Sequence, residues 1–214
     1  GTNTDTAHVN FAAGRMDLFI SPQTQLFARY SFDQGRLDTP DPLQIWHFVT
    51  RSRNQFFGFE LQHSASSRSV HSLRLSFNRQ NSREFSAPRA DIPPELSFVP
   101  GQLLGSMQVV GLTDFGYASA LLRPRHFILN DAGVRYEWSH TTGKNYWTAG
   151  AGYNRVHLNQ LASRGAVGHY QFSSLRNFLE GKADTGEVLM PGSDGARGWR
   201  QNLYFAFLQW ERKL

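Results

Sequence analysis

The chain has 214 residues, of which 40% are hydrophobic and 14% aromatic, and its formal net charge is +5. It contains no cysteine, which excludes a disulfide framework and a thiolate metal site. No run of ~18 apolar residues occurs, which excludes a transmembrane helix, whereas a barrel strand needs only ~9–11 residues of alternating polarity. A chain that is polar on average (mean hydropathy -0.45) but rich in aromatics fits a membrane barrel or a carbohydrate-binding β-sandwich.

Three hairpins are predicted in the first three quarters of the chain. In each, apolar residues recur at every second position on both sides of a short polar turn, because side chains of a strand point alternately to opposite faces. The apolar runs are Met16–Ile20 and Leu26–Phe32, then Phe57–Leu61 and Leu73–Phe77, then Ile128–Trp138 and Trp147–Tyr153. Long polar segments, predicted as loops, follow the first two hairpins, up to about Arg53 and from about Asn81.

The last quarter is more varied. Residues 165–172 indicate a short strand, and residues 173–181 indicate one or two helical turns that serines begin and Gly181 ends. A last strand is predicted from Trp199 to Leu214, with Leu203, Phe205 and Phe207 on its apolar face. The pattern does not settle how residues 101–125 and 165–196 are arranged as a whole.

The connections alternate between short and long, which is typical of bacterial membrane barrels with tight periplasmic turns and longer extracellular loops. The sequence therefore predicts an all-β, antiparallel transmembrane β-barrel segment of about eight strands. The apolar face would meet lipid and the polar face would line the lumen. Residues predicted to line the lumen are Arg29, Asp33, Glu60, Arg74, Asn78, Asp131, Arg135 and Glu137.

Arginines recur singly in strands and in pairs in the predicted loops, without forming a cluster along the chain. This spacing argues against a nucleic-acid groove. Loop arginines are candidates to bind lipopolysaccharide phosphates or an anionic solute through bidentate hydrogen bonds, with simple solubility as the alternative. These predicted extracellular-loop contacts are Arg51, Arg53, Arg83 and Arg89.

No catalytic or metal-binding signature is present. The eight histidines show neither HxxxH nor HExxH spacing, and no G-x-S-x-G or Walker A sequence occurs. Asp131 lies ~13–20 Å from Arg135 and Glu137 along one strand, too far for concerted acid–base chemistry. We therefore expect no enzyme activity and no cofactor.

Aromatic residues flank the short turn of the third hairpin, namely Tyr136, Trp138, Trp147 and Tyr153. They fit an aromatic belt at the periplasmic interface of the membrane. Ordinary packing within a sheet accounts for them equally well, so both interpretations remain open here.

Three segments resemble one family. Residues 204–214, YFAFLQWERKL, are similar to the strand end of TonB-dependent outer-membrane receptors, more specifically of an Oar-like subgroup with a carboxypeptidase-regulatory-like domain. Residues 172–181, FSSLRNFLEG, and residues 69–79, SVHSLRLSFNR, resemble two further segments of that subgroup. The acidic pair usual before the tryptophan is missing at Trp210, and Glu180 stands where an apolar residue is usual.

The resemblance implies a bacterial outer-membrane barrel of about 22 strands with an internal plug. Residues 1–214 would then be a partial barrel without a plug domain. Its role would be energised uptake of an unknown large solute, with outer-membrane lipid as a partner and the TonB system reached only through the missing plug. Two alternatives stay open, a complete small barrel of about eight strands acting as a pore or adhesin, and a soluble carbohydrate-binding β-sandwich.

Overall fold

The computed structural model describes residues 4–116, 124–162, 165–190 and 192–213. Leu214, the predicted end of the last strand, and residues 117–123 of the unplaced segment lie outside the described residues. No helix in the described part of the chain is long and apolar enough to cross a membrane. The elements in chain order are β1 (Thr6–Ser21), β2 (Thr24–Pro40), β3 (Trp46–Ser66), β4 (Ser69–Pro88), β5 (Ser106–Val109), β6 (Phe115–Gly116), β7 (Arg125–Thr142), β8 (Asn145–Ala162), β9 (His169–Phe172), α1 (Leu175–Leu179), β10 (Thr185–Glu187) and β11 (Ala196–Arg212).

Seven long strands form one sheet in the order β1-β2-β3-β4-β7-β8-β11, and every neighbouring pair is antiparallel. The three predicted hairpins are confirmed as β1–β2, β3–β4 and β7–β8. Their tight turns all lie at one end of the sheet, and Gly143 supplies the positive φ of 58° that the third turn requires. This is the all-β antiparallel architecture that the alternating pattern predicts, with seven long strands in place of about eight.

The strands continue far beyond the apolar runs that reveal them. The sheet includes residues 35–40, 46–53 and 81–88, which the polar composition had placed in loops, and the β2–β3 connection is reduced to residues 41–45. Backbone hydrogen bonds hold a ladder whatever the side chains are, so pairing does not end where the apolar residues end. Polar cross-strand contacts support the extension, for example the ring of His47, which lies 2.7 Å from the Asp38 carboxylate.

The two long connections, β4–β7 and β8–β11, build a second sheet at the other end of the molecule from the tight turns. Its strand order is β10-β9-β5-β6, and β5 and β9 run parallel. The largest buried side chain is Trp46 at the start of β3, which packs with Leu104 and Val167. This core joins the small sheet to the long-loop end of the seven-stranded sheet.

The predicted helical turns lie within this second unit, next to β9. Ser174 caps α1, since its side-chain oxygen accepts a hydrogen bond from the Asn177 backbone N–H. Gly181 follows with a positive φ of 67°. The backbone N–H of Ser173 donates to the carboxylate of Asp184, which lowers the pKa of Asp184 and ties α1 to the start of β10.

Candidate functional site: the two faces of the sheet

One face of the seven-stranded sheet carries a continuous band of apolar side chains. Direct pairing brings Phe57 on β3 beside Phe77 on β4, and Leu75 lies beside Val134 on β7. Phe57 and Phe77 are each 38% exposed, so no second protein layer covers them. We call this set the apolar band: Met16, Leu18, Leu26, Ala28, Tyr30, Phe32, Phe57, Phe59, Leu61, Leu73, Leu75, Phe77, Ala132, Val134, Tyr136, Ala149, Ala151, Tyr153, Tyr204, Ala206 and Leu208.

Aromatic rings mark the tight-turn end of the apolar band. The ring centroids of Trp147 and Trp210 are 6.0 Å apart, and Trp138 stacks on His140 at 5.6 Å. The ring centroids of Tyr153 and Tyr204, which lie further from the tight turns, are 5.0 Å apart. These rings share the apolar face at the tight-turn end, which is where membrane barrels carry one of their aromatic girdles. The four aromatics of the third hairpin therefore fit the belt interpretation.

The opposite face, which we call the polar face, carries all eight residues predicted to line the lumen. On β4, Arg74 pairs with Glu60 on one side and with Arg135 on the other, and Asn78 pairs with Asp131. Arg29 and Asp33 share the face because they pair with Gly58 and Asn54. The strand periodicity thus brings these residues to one surface, and their place in a barrel lumen stays a prediction.

Charges on the polar face neutralise one another across and along strands. A guanidinium nitrogen of Arg74 lies 3.1 Å from the Glu60 carboxylate, which also accepts a 3.0 Å hydrogen bond from Ser72. Arg135 and Glu137 form a 2.8 Å ion pair. The arginine side chains of these pairs are 46% and 42% exposed, so this surface suits contact with water.

The last strand differs from the prediction. Leu203, Phe205 and Phe207 do not lie on the apolar face, because β11 pairs them with Asn154, Gly152 and Gly150 on the polar face. The Arg135 guanidinium lies over both rings, 5.7 and 5.4 Å from their centroids. Both faces of β11 carry aromatic residues, so its sequence alone could not show which of them belongs to the apolar face. Pairing with Gly150 and Gly152 of β8 places Phe205 and Phe207 on the polar face.

The predicted loop arginines are also placed differently. Arg51 and Arg53 belong to β3 and Arg83 to β4, while Arg89 directly follows β4. Register places the first three on the same face as the apolar band, beyond its long-loop end. Arginines that are scattered along the sequence are therefore neighbours in the sheet, which sequence spacing did not reveal.

Two histidines on the sheet each have one polar partner. The ring of His71 lies 2.6 Å from the Tyr136 hydroxyl, and that of His126 lies 2.9 Å from the Asn81 side-chain oxygen. Within the described residues, no group of three or more metal-ligating side chains comes together. The geometry of these residues is therefore that of a surface with two chemically distinct faces.

Comparison with known proteins agrees with this geometry. A family model described as an outer membrane beta barrel domain matches residues 1–210. Neither the curated proteins nor the solved structures gave a significant match. An antiparallel sheet with an exposed apolar band, a charged opposite face and tight turns at one end is what such a domain requires. The chain thus belongs to the outer membrane beta barrel domain family and is a protein of the bacterial outer membrane.

Proposed function

We propose that this sheet forms part of the wall of a TonB-dependent receptor barrel that takes up a large solute. The observation that carries the proposal is the polar face. Two ion pairs on it, Arg74–Glu60 and Arg135–Glu137, remain partly exposed, which is the composition of a hydrated barrel interior. The three segments that resemble TonB-dependent receptors support the finer assignment.

The sheet edges favour a barrel with more strands than these seven. Among the described residues, β1 and β11 each pair on one side only. A strand edge in lipid must find a partner, because unpaired backbone groups cost several kcal/mol each in hydrocarbon. A partial wall of a wide barrel satisfies this requirement through neighbouring strands on both sides.

In this proposal the polar face lines the path of the solute, and the small sheet at the extracellular end contributes to its recognition. The TonB system would act through a plug domain, for which this sheet supplies the surrounding wall. The role is passage without enzymatic turnover, cofactor or nucleic acid. The rival function is a passive pore or adhesin. It is favoured by the strand number, because the seven long strands are close to the about eight that a complete small barrel needs.

Planar-bilayer recordings on protein purified from outer membranes distinguish the TonB-dependent receptor from the passive pore. A plugged TonB-dependent receptor gives no steady ion conductance and is retained by an immobilised TonB periplasmic domain. A passive pore gives steady conductance without retention, and that result would overturn the proposal. Glu137→Lys provides a control, because it shifts the ion selectivity of an open lumen that this residue lines.

A further inference from the structure

Beyond solute passage, we propose that the long-loop end of the apolar face binds the phosphate groups of lipopolysaccharide. A belt of basic side chains crosses the sheet there. We call it the basic belt and define it as Arg36, Arg51, Arg53, Arg79, Arg83, His126, Arg155, His157 and Arg200.

The two faces of the sheet differ sharply in charge. The polar face carries six strand arginines (Arg15, Arg29, Arg74, Arg125, Arg135 and Arg197) and seven carboxylates (Asp17, Asp33, Glu60, Glu84, Asp131, Glu137 and Glu211). Among the described residues of the seven long strands, the apolar face carries eight arginines, the seven of the basic belt and Arg212, against one carboxylate, Asp38. Asp38 is already bound by Arg36 at 2.9 Å and by His47 at 2.7 Å. The belt therefore presents a strong positive charge beside the lipid-facing surface.

The centre of the belt places like charges side by side. Arg51 pairs directly with Arg36 on one neighbouring strand and with Arg83 on the other. Like charges in directly opposed positions destabilise a sheet. Among the described residues, Arg51, Arg53 and Arg83 have no carboxylate within ion-pair distance. An external anion would relieve this repulsion.

Aromatic rings hold these guanidinium groups in place. Arg51 and Arg83 each lie 5.4 Å from the centroid of the Phe85 ring, and Arg53 lies 5.6 Å from that of Phe32. An open hollow of about 500 Å³ lies between the arginines, and its lining also includes Asn81 and His126. Guanidinium groups fixed in this way are suited to bidentate hydrogen bonds with phosphate oxygens.

The position of the belt identifies a lipid as the source of the phosphate. Arg53 is four residues from Phe57 on the same face of β3, which is ~13 Å along the strand at ~3.3 Å per residue. Acyl chains lying on the apolar band would bring their phosphorylated head groups to the arginines. A solute inside the barrel would contact the opposite face instead. The outer-leaflet lipid that combines acyl chains with several phosphates is lipopolysaccharide.

The test compares two triple variants of the protein in detergent micelles, each removing three positive charges. Arg51→Gln, Arg53→Gln and Arg83→Gln remove the centre of the belt. Arg29→Gln, Arg68→Gln and Arg212→Gln are the matched control, since these residues lie on the polar face or at the tight-turn end. Binding of lipopolysaccharide is measured by native mass spectrometry, and heat-modifiable gel migration verifies folding.

We expect the belt variant to bind lipopolysaccharide at least tenfold more weakly, while the control stays within twofold of the parent protein. The triple Arg→Lys variant at the same three positions should bind with intermediate strength, because lysine keeps the charge but loses the bidentate geometry. Lipid dephosphorylated at one position should also bind more weakly. Unchanged binding by the belt variant, an equal loss in the control, or equally effective competition by inorganic phosphate would each contradict the proposal.

Discussion

At the residue scale, Gly150 and Gly152 leave little room for a side chain. A Cβ atom on Gly150 would lie 2.4 Å from the ring of Phe207, and one on Gly152 would lie 2.4 Å from the ring of Phe205. Each glycine thus leaves room for a phenyl ring from the neighbouring strand to cover it, an arrangement used to rescue glycines in sheets. The Arg135 guanidinium lies over both rings, and it also forms an ion pair with Glu137 on the polar face.

Gly150→Ala is expected to lower the free energy of unfolding by about 1–3 kcal/mol, because the methyl group must displace the Phe207 ring. Urea unfolding of the protein in lipid or detergent measures the change. Gly14→Ala is the control, since a Cβ there meets no atom within 4 Å. In a Phe207→Ala background the cost of Gly150→Ala should largely vanish. A cost that stays the same in that background would show that the ring is not the cause.

At the scale of elements, the tight-turn half of each hairpin could be predicted and the long-loop half could not. Alternation of apolar and polar residues reveals a strand only where one face is apolar, so residues 46–53 and 81–88 looked like loops although they are paired. The small sheet could not be predicted from the sequence for a different reason. Its parallel β5–β9 pairing joins residues about 60 positions apart, such as Ser106 and His169, and no local pattern encodes that contact.

Trp46→Ala is expected to loosen the small sheet while leaving the seven-stranded sheet intact. Trp46 is 1% exposed in the core that joins the two, and removing a buried tryptophan costs about 3–5 kcal/mol. Hydrogen exchange should accelerate at the amides of Ser106 and Val110, which are bonded to carbonyl groups of Gly168 and Phe172.

Exchange at the β7–β8 amides should stay unchanged in this variant. Trp199→Ala removes a tryptophan that is 50% exposed and serves as the control. If exchange at the β7–β8 amides accelerated as much as exchange at Ser106, the two sheets would unfold as one unit. That result would contradict the prediction that the small sheet opens separately.

At the scale of the whole molecule, the sheet separates two environments. Its apolar band and basic belt share one face, whereas the Arg74–Glu60 and Arg135–Glu137 ion pairs lie on the other. The sequence pattern predicted this separation for β1–β4, β7 and β8, because their polar and apolar residues alternate. It failed for β11, where both faces are aromatic, and it missed the basic belt, because adjacency across strands depends on register.

The most direct test of the account asks which face meets lipid. The sequence has no cysteine, so Leu75→Cys and Ser76→Cys each introduce a single thiol into this chain, at adjacent positions on opposite faces of β4. In lipid vesicles, a nitroxide label at Leu75 should collide mainly with dissolved oxygen, and a label at Ser76 mainly with a water-soluble nickel chelate. Reversed accessibilities, or equal ones, would contradict a membrane-facing apolar band and a hydrated polar face.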